Sequence, residues 1–180
     1  MNSTLIQQKF GSYGVEVLAQ HPSQRITSLY SLDNQQRVTR SLAVARFHLN
    51  YPESVMRVHQ TIIDGASIGQ SFVDAGFGVV KHTATLMELP IHGELFALYD
   101  MMNLTTPSPL AYHAYELKVK SEDTWVSYAD VIEVHSPSHL GIADFNAEST
   151  VDTVQPDALI HEFLTIVQEQ VAPIRIAGNS

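Results

Sequence analysis

Asp130 belongs to an alternating run, Trp125–His135, in which Val126, Tyr128, Asp130, Ile132 and Val134 fall on one side. The run before it, Tyr112–Lys120, carries His113, Tyr115, Leu117 and Val119 on one side and Tyr112, Glu116, Lys118 and Lys120 on the other. A carboxylate, an imidazole and two phenols thus lie on sides patterned for burial. They must satisfy one another or meet a ligand. Taking a carboxylate out of water costs several kcal/mol, on the order of the buried-ion penalty, unless it is paired or protonated. An arginine such as Arg40, which shares an alternating side with Leu42 and Val44, would hold Asp130 ionised. An apolar pocket would instead raise its pKa and make it an acid or a donor. The competing readings are a structural Arg–Asp pair, and for Arg40 a rim arginine whose stem covers apolar surface.

Two other patterns invite chemistry. Gly65-Ala66-Ser67-Ile68-Gly69 matches the G-x-S-x-G turn that lifts a serine nucleophile between a strand and a helix, with Asp100, Asp130, His113 and His135 downstream. Here the preceding segment reads as a helix, so a helix cap by Asp64 or Ser67 is the stronger reading. Nine histidines raise the question of a metal. There is no His-Glu-x-x-His, and His135 and His139 flank a Ser-Pro-Ser turn. Glu133 and His135 share a strand side and could join His139, but scattered surface histidines are the expectation, so no metal and no cofactor are assigned. The absence of cysteine removes disulfides, thiolate metal sites and cysteine nucleophiles.

The elements that must position these residues follow from pattern. Tyr13–Ala19 reads as a short strand after a polar, loose segment 1–12. Arg25–Leu32 and Arg37–Leu49 flank Asp33-Asn34-Gln35-Gln36 as a hairpin. Pro52 opens a helix carrying Val55, Val58, Ile62 and Ile63, and a second short helix over 67–75 stops at Gly76. Val79–Leu89 is a strand and His92–Met102 a helix. Ser121-Glu122-Asp123-Thr124 joins the two runs above into a closing hairpin. From Pro156 a last helix aligns Leu159, Ile160, Phe163, Leu164, Val167 and Val171. Hairpins argue for antiparallel pairing, hence an α+β domain spanning 1–180, with a core over 13–140 and an acidic tail over 141–180.

Charge narrows the partners. Ten basic against nineteen acidic residues give a net charge of −9, which opposes phosphate backbones and argues against nucleic acid. Basic residues concentrate before Thr61, which fits a site for a small anion. No apolar run approaches the ~20 residues of a membrane span, and the N-terminus lacks a signal-peptide pattern. A cytoplasmic protein is the expectation.

The run Arg25–Leu49, followed by Asp64-Gly65-Ala66-Ser67-Ile68-Gly69-Gln70-Ser71-Phe72 and Ala75-Gly76-Phe77-Gly78-Val79, resembles the chorismate lyase-like fold. Chorismate pyruvate-lyases share that fold with the effector-binding (UTRA) domains of GntR-type repressors. Pro109–Pro137 resembles the closing hairpin. The resemblance implies one antiparallel sheet of two pseudo-symmetric hairpin halves, helices on one side and an enclosed pocket. It also implies an arginine on the first hairpin that holds a substrate carboxylate, which falls near Ile26 with Arg25 beside it. The acid on the closing hairpin falls at Asp130.

The expected function is binding of a small anionic or aromatic molecule in that pocket. In the enzyme version, a carbon–oxygen lyase, Asp130 and Arg40 are catalytic and Arg25, His113, Tyr115 and Tyr128 bind the ligand. A sensor module without catalysis is the alternative, a Ser67 hydrolase the third reading and a purely structural partner protein the fourth. The C-terminal helix is the candidate homodimer contact, or a cover for the sheet.

Overall fold

Alternating segments of eight to twelve residues take up extended structure as β1 (Gly14–His21), β2 (Gln24–Asp33), β3 (Gln36–Phe47), β4 (Gly78–Leu89), β5 (Leu110–Ser121) and β6 (Thr124–His135). The computed structural model describes residues 2–90, 95–145 and 161–170. The strands form one antiparallel sheet in the order β1-β2-β3-β6-β5-β4. Two three-stranded meanders, β1–β3 and β4–β6, therefore meet where β3 pairs with β6, which gives the expected two halves. Asn34 and Gln35 sit at φ 49 and 67. Two successive positive φ values are what a type I′ turn requires to join β2 to β3.

Helices α1 (Asn2–Phe10), α2 (Glu53–Ile63), α3 (Ile68–Asp74), α4 (Leu95–Met102) and α5 (161–170) cover both faces, not one side as expected. On one face Leu42, Val44, Tyr112 and Val134 pack with Leu98, Tyr99 and Met102 of α4 and with Phe163, Leu164 and Val167 of α5. On the other, Ala45, Phe47, Tyr115, Leu117 and Val131 pack with Val55, Val58 and Ile62 of α2 and Phe72 of α3. Each such side chain, once buried, contributes about 1.5–3 kcal/mol relative to exposure, so each helix is held chiefly by its apolar stripe. The α5 stripe is spent on this chain's own sheet. The parts of the expected helices at 92–94, 156–160 and 171, and residues 146–155 and 172–180 of the acidic tail, lie outside the described residues. Residues 2–10 form a helix rather than a loose segment; Ile6, fully buried, is its anchor.

Simple alternation fails at four bulges, one each in β1, β3, β4 and β6, and those in β3 and β6 decide where the predicted site residues go. Leu29 pairs with Ser41 and Tyr30 with Thr39, which leaves Arg40 unopposed. Leu117 pairs with Ala129 and Lys118 with Ser127, which leaves Tyr128 unopposed. Each extra residue reverses the side on which all earlier residues of its strand emerge. Arg40 therefore leaves the side of Leu42 and Val44. Tyr128 joins the α2–α3 face, while Asp130 stays with Ile132 and Val134 on the other.

Candidate functional site

A cavity of about 350 Å³ lies on the α1–α3 side of the sheet. Its floor exists because β3 contributes only alanines there. Arg25, Ala45, Val131 and Tyr115 form one row across β2, β3, β6 and β5; Thr27, Ala43, Glu133 and His113 form the next. Ala43 and Ala45 leave room above the central strand. The backbones that bear Arg25 and Glu133 stand two strand spacings apart, roughly 10 Å. Val15, Leu29, Leu117 and Val131 line the apolar part, and Tyr13, Ser67, Lys81, Arg25, Tyr115 and Glu133 the polar part. A few convergent polar groups in an apolar hollow of this volume are characteristic of small-molecule sites.

Arg25 is 1% exposed. It ties β2 to the α2–α3 turn: Nη1 donates to the carbonyls of Ile62 (2.8 Å) and Ala66 (2.6 Å), and Nη2 to that of Gly65 (3.1 Å). Three of five N–H groups are thereby used. The buried Nε has no partner. Burial lowers the guanidinium pKa, but an arginine remains charged.

Glu133 is the acid of the cavity. Asn2 Nδ2 donates to its Oε2 at 2.7 Å, Lys81 Nζ lies 3.3 Å from the same oxygen, and the Tyr115 hydroxyl donates to the carboxylate. Burial pushes the Glu133 carboxyl up; the Lys81 charge, the His135 and His113 imidazoles once they are protonated, and the Tyr115 hydroxyl outweigh it and lower the group to about 2. Burial, with the carboxylate beside it, pushes the Tyr115 phenol well above its ordinary value. Lys81 also lies 4.1 Å from the Tyr115 ring centroid.

Behind Glu133 stand buried imidazoles. His113, its partner in register, bonds through Nε2 to Thr83 Oγ1 at 3.0 Å. His135 bonds through Nδ1 to Ser41 Oγ at 2.7 Å, and its Nε2 lies 3.7 Å from Glu133 Oε2. Burial lowers His113 to about 4, His135 to about 3 and His139 to about 4. All three are neutral at pH 7, so Lys81 rather than an imidazolium keeps Glu133 ionised. These histidines are not scattered over the surface, as the sequence spacing implied. Among the described residues, His113, Glu133 and His135 each offer one donor atom within 4.8 Å of the others.

The predicted site residues divide. Arg25 and Tyr115 line the cavity. His113 lies directly behind it. Tyr128 is fully buried beside it, its hydroxyl on His59 Nδ1 at 2.8 Å. Arg40, displaced by its bulge, bonds to Ser31 Oγ (2.8 Å) and Ser138 Oγ (2.7 Å) and lies 3.7 Å from the Phe10 ring centroid. It pins α1 to the sheet and forms no pair with Asp130. Asp130 stands at the rim with its side chain 66% exposed, 3.1 Å from His48 Nε2. It is not an interior acid. The Ser67 segment joins two helices rather than a strand to a helix, and the Ser67 hydroxyl accepts from Tyr13 at 3.4 Å. Lys81 was missed, and Glu133, which the sequence offered only as a metal ligand beside His135 and His139, was not assigned to the pocket. The available signal was that Glu133 alternates with Val131 and His135.

No protein-family model matches the chain. No curated protein matches it.

Proposed function

We propose that the cavity binds a small cyclic carboxylic acid and that the protein is a carbon–oxygen lyase of the chorismate lyase type. One observation carries this reading: an arginine from the first hairpin, Arg25, and an acid from the closing hairpin, Glu133, line the same apolar hollow with two alanines between them. That is the pair the sequence resemblance asks for, with Glu133 in place of Asp130. The sheet of two like halves also accords with it.

In this reading the buried Arg25 guanidinium, which lines the cavity, supplies the positive charge that draws a substrate carboxylate into a water-poor site. The apolar walls hold the ring. At the far end Lys81, Tyr115 and Glu133 surround the reacting bond. The ether carbon–oxygen bond breaks, the proton of the neighbouring ring carbon passes to the methylene carbon of the enolpyruvyl group, and that group leaves as pyruvate. The ring becomes aromatic, so much of the driving force is the substrate's own. The protein's contribution is to hold the enolpyruvyl side chain over the ring hydrogen and to place positive charge where the leaving oxygen becomes negative.

Incubation with chorismate, followed by absorbance for 4-hydroxybenzoate and an enzymatic assay for pyruvate, tests the reading. Equimolar appearance of both products supports lyase activity, and their loss in Glu133→Gln assigns it to this cavity. Chorismate that protects against thermal unfolding without turnover would make the protein a binding module. Neither turnover nor protection would remove the reading.

A further inference from the structure

We propose that His113, His135 and Glu133 form a binding site for a first-row divalent transition-metal ion at the inner wall of the cavity. The inference goes beyond the lyase reading and does not rest on it. One donor atom from each residue lies within 4.8 Å of the other two, and all three side chains are buried. Two donors bonded at about 2.1 Å to one ion stand roughly 3.0–3.5 Å apart at octahedral or tetrahedral angles. His135 Nε2 and Glu133 Oε2 are already 3.7 Å apart. The remaining closure is within reach of small side-chain rotations.

The second observation is unspent ligand capacity. His113 Nδ1 and His135 Nε2 are buried and without a hydrogen-bond partner. An orphaned imidazole nitrogen in a protein interior costs about 1–3 kcal/mol, and two of them beside one carboxylate need a reason. The other nitrogen of each ring is already fixed, His113 Nε2 by Thr83 and His135 Nδ1 by Ser41. Hydroxyls that accept these N–H groups leave the opposite nitrogens as lone-pair donors, which is the outer-shell arrangement that orients metal-bound histidine. Two imidazoles and one carboxylate suit zinc, cobalt, iron or nickel rather than calcium or magnesium.

Lys81 is the competitor. Its ammonium occupies Glu133 Oε2 from the cavity side, and metal entry must turn it away. Its side chain retains 30% exposure, so it has water to turn into.

The test is Co²⁺ titration of the chelator-treated full-length chain at neutral pH, read by visible absorption, with Zn²⁺ competition. The expected result is saturation at an equimolar ratio, with ligand-field bands that Zn²⁺ abolishes. His113→Gln and His135→Gln should each weaken binding at least about 100-fold, while Lys81→Met, which removes the competing charge, tightens it about tenfold. A wild-type chain that takes up no Co²⁺ overturns the proposal, whatever the variants do. So does a site that survives both histidine substitutions, or one that Lys81→Met weakens. No arm uses an organic ligand, so failure here is separate from failure of the lyase reading.

Discussion

Lys81 Nζ lies 3.3 Å from Glu133 Oε2, and the lysine comes from β4 while the glutamate comes from β6, with β5 between them. The pair thus spans a strand and depends on Tyr115, which lies beneath it. Its energetics are unequal. Glu133 is buried and cannot lose its partner without becoming an uncompensated charge, whereas Lys81 can reach water. Breaking a buried pair costs 3–5 kcal/mol, and with one half-open partner the loss should fall lower, at about 2 kcal/mol. Lys81→Met is expected to destabilise by about that amount in urea unfolding. Lys81→Met/Glu133→Gln should be more stable than the sum of the two single changes predicts, because the second change removes the stranded charge. Strict additivity would mean the two groups are not coupled.

Asp130 and Glu133 separate an outer acid from an inner one. Asp130→Asn alters an exposed contact to His48, so its effect on stability should stay within about 0.5 kcal/mol and ligand protection should be unchanged. Glu133→Gln should remove protection by chorismate. Thermal shifts of both variants, with and without chorismate, give the comparison. Loss of protection in Asp130→Asn with none in Glu133→Gln would reverse the assignment.

The strands were legible because each is an alternating run of eight to twelve residues closed by a turn signal, and Asp33–Gln36 and Ser121–Thr124 are turns in the structure. The pocket was not, and the reason is local. Alternation assigns sides only while every residue has a partner. Arg40 and Tyr128 have none, and each reverses the sides of the residues that precede it. No residue in either stretch announces this, since neither bulge uses glycine. Parity alone places Tyr128 and Asp130 on one side, whereas the bulge turns Tyr128 inward and leaves Asp130 exposed. Glu133 lay on the correct parity with Val131 and His135, but its burial is set by β4 and by Asn2 of α1, which are distant in sequence. Residues 2–10 looked polar because only Ile6 is anchored in the core.

Tyr128 tests whether a buried phenol is structural. Its hydroxyl bonds to His59 Nδ1, its ring packs in edge contact with Phe72 and is stacked on Tyr51 at 5.0 Å, and it does not line the cavity. Tyr128→Phe keeps the ring contacts and strands the imidazole nitrogen, so a loss of about 1–3 kcal/mol is expected. Binding or turnover at the cavity should be unchanged. A fall in turnover at unchanged stability would make Tyr128 part of the site.

Acid should weaken the fold in two stages. His113, His135 and His139 are lowered to about 4, 3 and 4 by burial, so at pH 5 they are neutral when folded and almost fully protonated when unfolded. A depressed histidine pKa favours the fold above the unfolded value of about 6.5, and that contribution falls away as pH drops toward the folded values. Near pH 5 the unfolded chain therefore holds about three more protons from these residues alone, and stability should fall steeply with decreasing pH. Glu133 acts in the same direction but later. Its lowered carboxyl pKa supplies stability that is complete above the unfolded value of about 4.3 and is lost only below it. The measurement is urea-unfolding free energy between pH 8 and 4. His135→Gln should flatten the slope between pH 6.5 and 5 by about one proton, and Glu133→Gln should leave that interval nearly untouched. A stability curve flat from pH 7 to 5 would mean that the imidazoles are hydrated or already paired.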